Sequence, residues 1–569
     1  MATYAELKAK ADERWQTLAH GDRAWVRVGT AICGKAAGAS LVVESLKAEL
    51  SRRGVQAHLS EVGCLGLCYA EPIVDILKPG KPRVFFKNVT PDQVPELVES
   101  YLIHDNPKND SVLGYLGEGS LDGVSPLDQL STMKKQIRIA LRNAGHIDPL
   151  DIYQYIANGG YAGLNKALFE LKPQQVAEEV TKSGLRGRGG AAFPTGTKWS
   201  FLARTPGTTK YMLCNCEEGD PGAYNDKGIL ESDPHTLIEG MIIGGYATES
   251  NYGYIFIRHG HEGPIERTEK ALEQAYEAGL LGQNILGSGF SFDIEVSLTG
   301  DSYVSGEETA LMESIEGKRA MPRYRPPFPA QSGLWGKPSN INNVKTLAYV
   351  PEIITRGGDW FAGIGVGRSK GTVILCLSGN ITYPGMYEIP MGMTLRQVLE
   401  DVGGGVPNGK KLKLLQTGGP LGGVLSGDKI DIALDFEQMA QAGAILGSGG
   451  IIVADEDTCA VDMARVLVAF CQFESCGKCF PCRLGMTHLL EVLERISNCQ
   501  TRPGDMELMQ GIGRSMTLGS LCGHGQLGFN PVQSAFRYFA EDFEAHMKKG
   551  RCLTGQCTGL HITPTRTRP

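Results

Sequence analysis

The chain has 569 residues, a net charge of −7 and 42% hydrophobic residues. At roughly 150 residues per domain, this length predicts three or four domains, each able to bury a core without disulfides. No basic stripe points to nucleic acid, no apolar run approaches the ~18 residues that span a bilayer, and the charged opening MATYAELKAKADERW lacks the apolar stretch of a secretory signal, so a cytoplasmic protein is expected.

In chain order, residues 4–18 predict a helix, Trp25–Val28 a strand, and residues 39–53 a helix. Strands follow near 56–61, 73–78 and 83–87, then a helix over 91–102. Cys33 falls between the first strand and its helix, and Cys64 and Cys68 follow the second strand. Residues 103–148, rich in Asp, Gly, Ser and Pro, read as a connector. From about 149 to 360 strands and helices alternate: YMLCN, a helix near 236–248, YGYIFIR, a helix near 265–279, then FDIEVSL. That alternation predicts a largely parallel sheet covered by helices. Residues 370–450 show short strands, one helix in MTLRQVLEDV and many glycines, the pattern of a small α+β domain. Residues 459–548 read as mainly helical, with amphipathic segments at 460–472, 483–496, 505–516 and 531–548.

Glycine supplies 74 of 569 residues, well above the usual ~7%, and gathers in GLRGRGG, GGVPNGK and GSGG. Clustered glycine marks backbone that turns sharply or closely approaches a ligand. In GLRGRGGAAFPTGTKWSF (184–201), Gly184, Gly187, Gly189 and Gly190 leave a strip without side chains that can press on a flat ring or offer N–H groups to a phosphate. Arg188 and Lys198 add positive charge, and Phe193 and Phe201 add flat apolar faces. A tight turn with no ligand is the plain alternative. Two acidic segments strengthen the ligand reading. CNCEEGDPGAYNDKGILE puts Asn215, Glu217, Glu218 and Asp220 directly after a strand, and DSYVSGEETALMESIEGKR puts Tyr303, Gly306, Glu307 and Glu308 before a helix. Carboxylates at a strand end suit ribose hydroxyls; helix capping or a solvated rim is the alternative.

Fifteen cysteines with no export signal point to metal ligation before disulfides. ESCGKCFPCRLG supplies Cys476, Cys479 and Cys482, and Cys522 follows in SLCGHG after 39 intervening residues. Three close thiolates and one remote can close a [4Fe–4S] cubane, with structural zinc as the alternative. Cys471 and Cys499 fall outside this pattern and are expected as buried thiols. Near the end, AHMKKGRCLTGQC offers His546, Cys552 and Cys557, three ligands toward a Cys₃His zinc site; free thiols on a flexible tail are the alternative.

These segments, with RPPFPAQSGLW (325–335) and INNVKTL (341–347), closely resemble the NADH-binding flavoprotein subunit of respiratory complex I and the diaphorase subunits of NAD-linked hydrogenases and formate dehydrogenases. The resemblance runs over residues 150–550. It implies FMN contacts at Gly187, Arg188, Gly189, Gly190, Lys198, Asn215, Glu217, Glu218, Tyr303, Gly306, Glu307, Asn342, Asn343 and Thr346. It implies NAD(H) contacts at Phe193, Phe201, Asp220, Glu308, Arg325 and Phe328, and a [4Fe–4S] cluster on Cys476, Cys479, Cys482 and Cys522. Three positions depart from the usual pattern: Asp220 where Glu is common, Arg325 where Lys is common, and Ser305 for a frequent Cys. For the tail, resemblance to some hydrogenase subunits nominates Cys459 as the fourth zinc ligand.

The first hundred residues resemble the thioredoxin-like [2Fe–2S] ferredoxin found beside or fused to these flavoproteins. That family places C-x4-C after the first strand and C-x3-C after the second. Here Cys64 and Cys68 supply the second pair, Cys33 alone supplies the first, and Arg27 or Val28 stands where its partner is expected. An unusual fourth ligand, a labile cluster and a fold kept only for docking all remain open.

The expected fold class is α/β: a thioredoxin-like domain (1–105), a connector (106–148), a Rossmann-like FMN/NAD(H) domain (149–365), an SLBB ubiquitin-like domain (366–455), a helical [4Fe–4S] domain (456–550) and a tail (551–569). The expected function is hydride exchange between NAD(H) and FMN, then one-electron transfer through the cluster, with no general base and with Glu217 and Glu218 tuning the site. Expected partners are a [2Fe–2S] thioredoxin-like small subunit and a catalytic iron–sulfur subunit of a hydrogenase, formate dehydrogenase or similar enzyme. A non-catalytic scaffold and an electron-bifurcating flavin subunit are the competing readings.

Overall fold

The structure is a computed structural model that describes residues 2–107 and 110–557. Its first sheet comprises β1 (Ala24–Gly29), β2 (Ala57–Val62), β3 (Val74–Leu77), β4 (Arg83–Phe86) and β5 (Val112–Leu116), in the order β2-β1-β3-β4-β5. β1 and β2 run parallel, as their connection through the helix Ala39–Arg53 requires, while β3, β4 and β5 add antiparallel. That helix begins after Gly38 and ends at Gly54, both at left-handed φ, and buries Val42, Val43, Leu46 and Leu50 at helical spacing.

Two expectations for this region change. Residues 112–116, read as connector, form the edge strand β5; five residues among turn formers leave too short an alternation to detect. The helix expected over 91–102 is instead a 3₁₀ turn (Pro91–Gln93), one α turn (Val94–Leu97) and a π turn (Val98–Ile103). Farther along the expected connector, the backbone N–H groups of Ile139, Ala140 and Leu141 converge on the Glu388 carboxylate at 2.9, 3.2 and 2.9 Å. This stretch is therefore anchored to the third sheet.

The second sheet is wholly parallel: β6 (Tyr211–Cys216), β7 (Tyr252–Arg258), β8 (Asp293–Thr299) and β9 (Ser339–Asn343), in the order β8-β7-β6-β9. Strands β6 and β7 are buried through MLC and IFI, the continuous apolar runs of a sheet covered on both faces. The crossover helix Pro234–Thr248 is buried at every position except Tyr246. In open parallel sheets, ligands bind beyond the carboxyl ends of the strands; here those ends are Cys216, Arg258, Thr299 and Asn343.

The third sheet holds β10 (Thr372–Gly379), β11 (Gly385–Pro390), β12 (Leu412–Thr417), β13 (Val424–Ser426) and β14 (Gly450–Asp455), in the order β11-β10-β14-β12-β13. The helix read in MTLRQVLEDV is mostly a π turn at Gln397–Val402, burying Val398, Leu399 and Val402. The chain then forms helices Ala460–Phe473, Phe480–Ser497, Asp505–Gly519, Asn530–Tyr538 and Ala540–Lys549. The helix expected over 531–548 is thus two, broken at Phe539 (φ −131°, ψ 42°). The break lets Phe536 and Phe543 meet edge-on at 5.6 Å.

Candidate flavin, nucleotide and metal sites

The glycine loop turns back on itself before the helix Thr195–Arg204. Gly187 N–H donates to Phe193 C=O at 2.9 Å, and Thr195 N–H to Leu185 C=O at 2.9 Å. Gly190 holds φ +111°, a conformation costly for any residue with a Cβ. At Gly189 an added Cβ would stand 3.0 Å from Asn343 Cβ. The strip therefore lies against the carboxyl end of β9, and Thr346 Oγ1 fixes it from below by accepting from Arg188 N–H at 2.9 Å.

The Arg188 side chain does not serve this strip. Its buried guanidinium donates to the carbonyls of Thr372, Arg186 and Lys370 at 3.2, 2.8 and 2.6 Å, which ties the loop to the third sheet. Positive charge at the rim comes instead from Lys198, whose ammonium lies 2.7 Å from Ile341 C=O and 3.4 Å from Glu308. Phe193, Phe201 and Phe328 are about half exposed, with the first two rings 6.4 Å apart. Exposed aromatic faces beside a bare backbone strip suit a stacked planar ligand.

Across from the strip, Asn215 Nδ2 donates to Gly306 C=O at 2.8 Å and its Oδ1 accepts from Glu217 N–H at 3.0 Å. Glu307 caps the helix Glu308–Ile315 through Thr309 and Ala310 N–H, both at 2.9 Å. Arg325 bridges Glu307 and Glu308 at 2.6 Å each. Burial pushes Glu217 up to about 8, opposed by Arg258 at 3.1 Å and reinforced by Asp220. Burial also raises Asp220, which accepts from Tyr303 Oη at 2.7 Å and Ser448 Oγ at 2.6 Å.

Glu218 has another place. Its carboxylate accepts the N–H groups of Asp226 and Lys227 at 2.9 Å each, capping the helix Asn225–Ser232 from inside the protein. Beside it Lys345, 1% exposed, donates to Asn225 at 2.6 Å and Asp226 at 2.8 Å, and Asn343 Nδ2 reaches the other Asp226 oxygen at 2.6 Å. Asn342 is likewise engaged beneath the strip, accepting from Trp199 Nε1 at 3.3 Å and donating to Asn340 at 2.8 Å. The sequence reading passed over Asp226, Lys345, Arg258 and Ser448; Lys345 sits inside INNVKTL and Asp226 inside YNDKG, so only their pairing was hidden.

Tyr303 joins this rim to the thiols. Its hydroxyl holds Asp220, its N–H donates to Glu474 at 2.9 Å, and its ring packs 5.4 Å from Phe470 and 5.9 Å from His524. Cys476 follows Glu474 by two residues and Cys522 precedes His524 by two. Cys482 and Cys522 are buried. Burial and the neighbouring Cys479, Cys522 and Cys476 push the Cys482 thiol up to about 12. Four thiols gathered at one place, whose negative charges would repel once ionised, have the chemistry of a cubane's donor set, and a bound cluster would hold them as thiolates. Cys471 is fully buried and Cys499 half-buried at φ +56°.

Two other groups bring their ligand atoms within 4.8 Å of one another: Cys459, His546, Cys552 and Cys557, and separately Cys33, Cys64 and Cys68. In the first, His546 Nδ1 donates to Asp542 C=O at 2.7 Å, which leaves Nε2 as the lone-pair nitrogen, 3.7 Å from Cys459 Sγ. The remainder of the tail, 558–569, lies outside the described residues.

The bare strip, the aromatic faces and the four clustered thiols define an α/β protein built to hold a flavin and an iron–sulfur cluster. Residues 180–352 match the Nuo51 FMN-binding domain, 374–425 the SLBB domain, and 462–546 the iron–sulfur binding region of NADH-ubiquinone oxidoreductase-F. The chain is 48% identical over 430 residues to the NADP-reducing hydrogenase subunit HndC of Solidesulfovibrio fructosivorans, covering 76% of this chain and 87% of that one. It is 43% identical over 414 residues to an NADH-quinone oxidoreductase subunit of Rhizobium meliloti (73% and 98%) and 40% identical to the corresponding subunit of Escherichia coli (72% and 93%). Among solved structures it resembles a chain of the NAD⁺-reducing [NiFe]-hydrogenase in the H₂-reduced state, with TM-score 0.65 and 26% identity over 96% of this chain and 87% of that chain. The chain belongs to the family of NADH-binding flavoprotein subunits that carry FMN and a [4Fe–4S] cluster in NADH-quinone oxidoreductases and NAD-linked hydrogenases. It is an NADH-acting oxidoreductase component, and partner subunits are expected. Among the described residues no helix is long and apolar enough to cross a membrane.

Proposed function

We propose that this chain is the diaphorase subunit of a hydrogenase- or formate dehydrogenase-type assembly, exchanging electrons between NAD(H) and a partner's iron–sulfur subunit. The observation that carries it is Tyr303, which contacts the nucleotide rim with its hydroxyl and the cluster-bearing helices with its ring. Bound FMN supplies hydride exchange with a nicotinamide and single-electron exchange with the cluster. The protein's own part is placement. The strip at Gly187, Gly189 and Gly190 admits a flat ring, Asn343 and Thr346 brace that strip with Asn342 packed beneath it, Asn215 holds the opposite wall through Gly306, and Phe193, Phe201 and Phe328 cover a nucleotide on the open side. Lys198 and Arg325 set the charge beside Glu307 and Glu308, and Asp220 and Glu217 keep the inner wall polar.

The boundaries we assign are 1–105, 106–148, 149–365, 366–455, 456–550 and 551–569, with β5, inside the second segment, completing the first unit's sheet. The strand order β2-β1-β3-β4, with one parallel pair and two antiparallel additions, supports a thioredoxin-like first unit. A zinc ion on Cys459, His546, Cys552 and Cys557 fits donors within 4.8 Å, since Zn–S bonds of ~2.3 Å place tetrahedral ligands about 3.8 Å apart. All fifteen cysteines are free thiols, which suits the reducing cytoplasm. The test is direct. The purified chain, reconstituted with FMN, iron and sulfide, should show flavin absorption and reduce an artificial dye with NADH. A chain that binds FMN but leaves NADH unoxidised would refute the assignment in favour of a scaffold.

A further inference from the structure

A [2Fe–2S] centre in the first unit needs a fourth ligand, and the place expected for it holds none. Val28 is fully buried in the apolar core of the first sheet. The Arg27 guanidinium lies over Trp25 and pairs with Asp75 at 2.8 Å. A different side chain lies beside Cys33, at the edge of the three-thiol group. Glu71 follows Cys68 by three residues, is buried, and brings Oε1 to 3.9 Å from Cys33 Sγ, while its Oε2 accepts from Ile73 N–H at 2.9 Å. Room for this carboxylate is made by glycines: a Cβ at Gly29 or Gly34 would stand 3.1 or 3.2 Å from Glu71 Oε2.

The spacing of the donors matters as much as their identity. Cys33 and Cys64 sulfurs are 3.2 Å apart, Cys64 and Cys68 sulfurs 3.9 Å, and all three lie within 4.8 Å of one another. Edges of about 3.8 Å belong to a tetrahedron around one ion. A diiron cluster instead sets two irons and two sulfides between its thiolate pairs, and Cys33 stands too close to the other pair to leave that gap. Gly66 N–H donates to Cys64 Sγ at 3.2 Å, offsetting thiolate charge as metal–thiolate sites require.

We propose that Cys33, Cys64, Cys68 and Glu71 hold a single thiophilic divalent ion of the zinc type, in place of a [2Fe–2S] cluster. The ion clamps the loop after β1 to the loop after β2. Those loops also carry contacts to the rest of the chain: Ile32 N–H donates to Glu231 at 3.0 Å, Met386 N–H to Gly66 C=O at 2.8 Å, and Tyr69 N–H to Pro384 C=O at 3.1 Å. The site is thus a redox-silent fastener between the first unit and the second and third sheets.

The experiment uses the full chain with the tail site disabled by Cys552→Ser and Cys557→Ser. One zinc per flavin should remain, and Cys33→Ser should remove it while FMN and cubane iron stay. Zinc X-ray absorption of the tail-disabled chain should give three sulfur neighbours and one oxygen, a reading that needs no variant in the first unit. In the cobalt-substituted protein Glu71→Ala should move the d–d bands, and Glu71→Asp should largely restore them. Labile sulfide beyond the cubane's complement with a [2Fe–2S] EPR signal abolished by Cys33→Ser, an absence of zinc, or a four-sulfur shell would each overturn the proposal.

Discussion

Replacing Lys345 by Met tests the charge network under the glycine strip. Burial alone would lower the Lys345 pKa, yet Asp226 and Glu218 outweigh it and hold the pKa above its ordinary value. Lys345→Met keeps an unbranched side chain in the same space but leaves Asp226 and Glu218 buried without their cation. Breaking a buried pair from one side costs about 3–5 kcal/mol, a factor of about 10²–10⁴ in the local opening equilibrium at ~1.4 kcal/mol per decade. The loss should appear where the network sits, in the helix Asn225–Ser232 and at the carboxyl end of β9. Hydrogen exchange resolved by peptide is the assay, because a chain of several domains does not unfold in two states. The double variant Lys345→Met, Asp226→Asn should recover part of the loss, since it removes one stranded charge with its partner. Protection of residues 225–232 falling by less than about 1 kcal/mol in the single variant, below the range for a broken buried pair, would refute the reasoning.

Three further outcomes are expected. Gly189→Ala has no left-handed φ to oppose it but must push Asn343 aside, so it should weaken FMN retention by about 1–3 kcal/mol; unchanged flavin titration would mean the strip does not face the ring. Glu217 is raised to about 8, so folding keeps it protonated where the unfolded chain is ionised, and its contribution to stability falls as pH rises from its ordinary value near 4.5 through 8. Glu217→Gln should therefore flatten the decline in the flavin-free chain's melting temperature between pH 5 and 9, and parallel wild-type and variant curves would contradict this. Cys522→Ser should lower iron below four per flavin and abolish the [4Fe–4S] EPR signal while FMN remains bound; an intact signal would transfer the fourth ligand to Cys471, the neighbouring buried thiol.

What the sequence disclosed follows from the range of the forces involved. The apolar runs of β6 and β7, the glycine strip and C-x2-C-x2-C are local patterns, and each is where its composition placed it. Pairings over long separations were hidden: Lys345 meets Asp226 across 119 residues and Ile32 meets Glu231 across 199. The partners of Arg188 were hidden for the same reason: the sequence shows a positive charge beside four glycines, but not that the carbonyls of Thr372, which opens the third sheet, and Lys370 bind the guanidinium. Glu71 lay in plain view three residues after Cys68, but a carboxylate in a thiolate motif gives no signal until its oxygen is seen beside Cys33 Sγ. Phe539 could not be read as a break, because the amphipathic spacing continues through it on both sides.

The third sheet explains why these parts occur on one chain. At Gly419 an added Cβ would fall within 2.3 Å of the Asp220 carboxylate, and at Gly447 within 2.3 Å of Gly418 Cα. Glycine is therefore needed for two loops of that sheet to close over the nucleotide rim, with Ser448 as the hydrogen-bonding contact to Asp220. The same sheet also receives the helical unit: Asn530 Nδ2 donates to Leu421 C=O at 3.0 Å, and Val424 N–H donates to Ser534 Oγ at 2.9 Å. The sheet thus touches both the rim and the helical unit while contributing no candidate ligand of its own. Electron transfer between two bound centres depends on their separation, so a sheet packed through glycine backbone against the rim and through hydrogen bonds against the helical unit supports the direct link that Tyr303 makes between them.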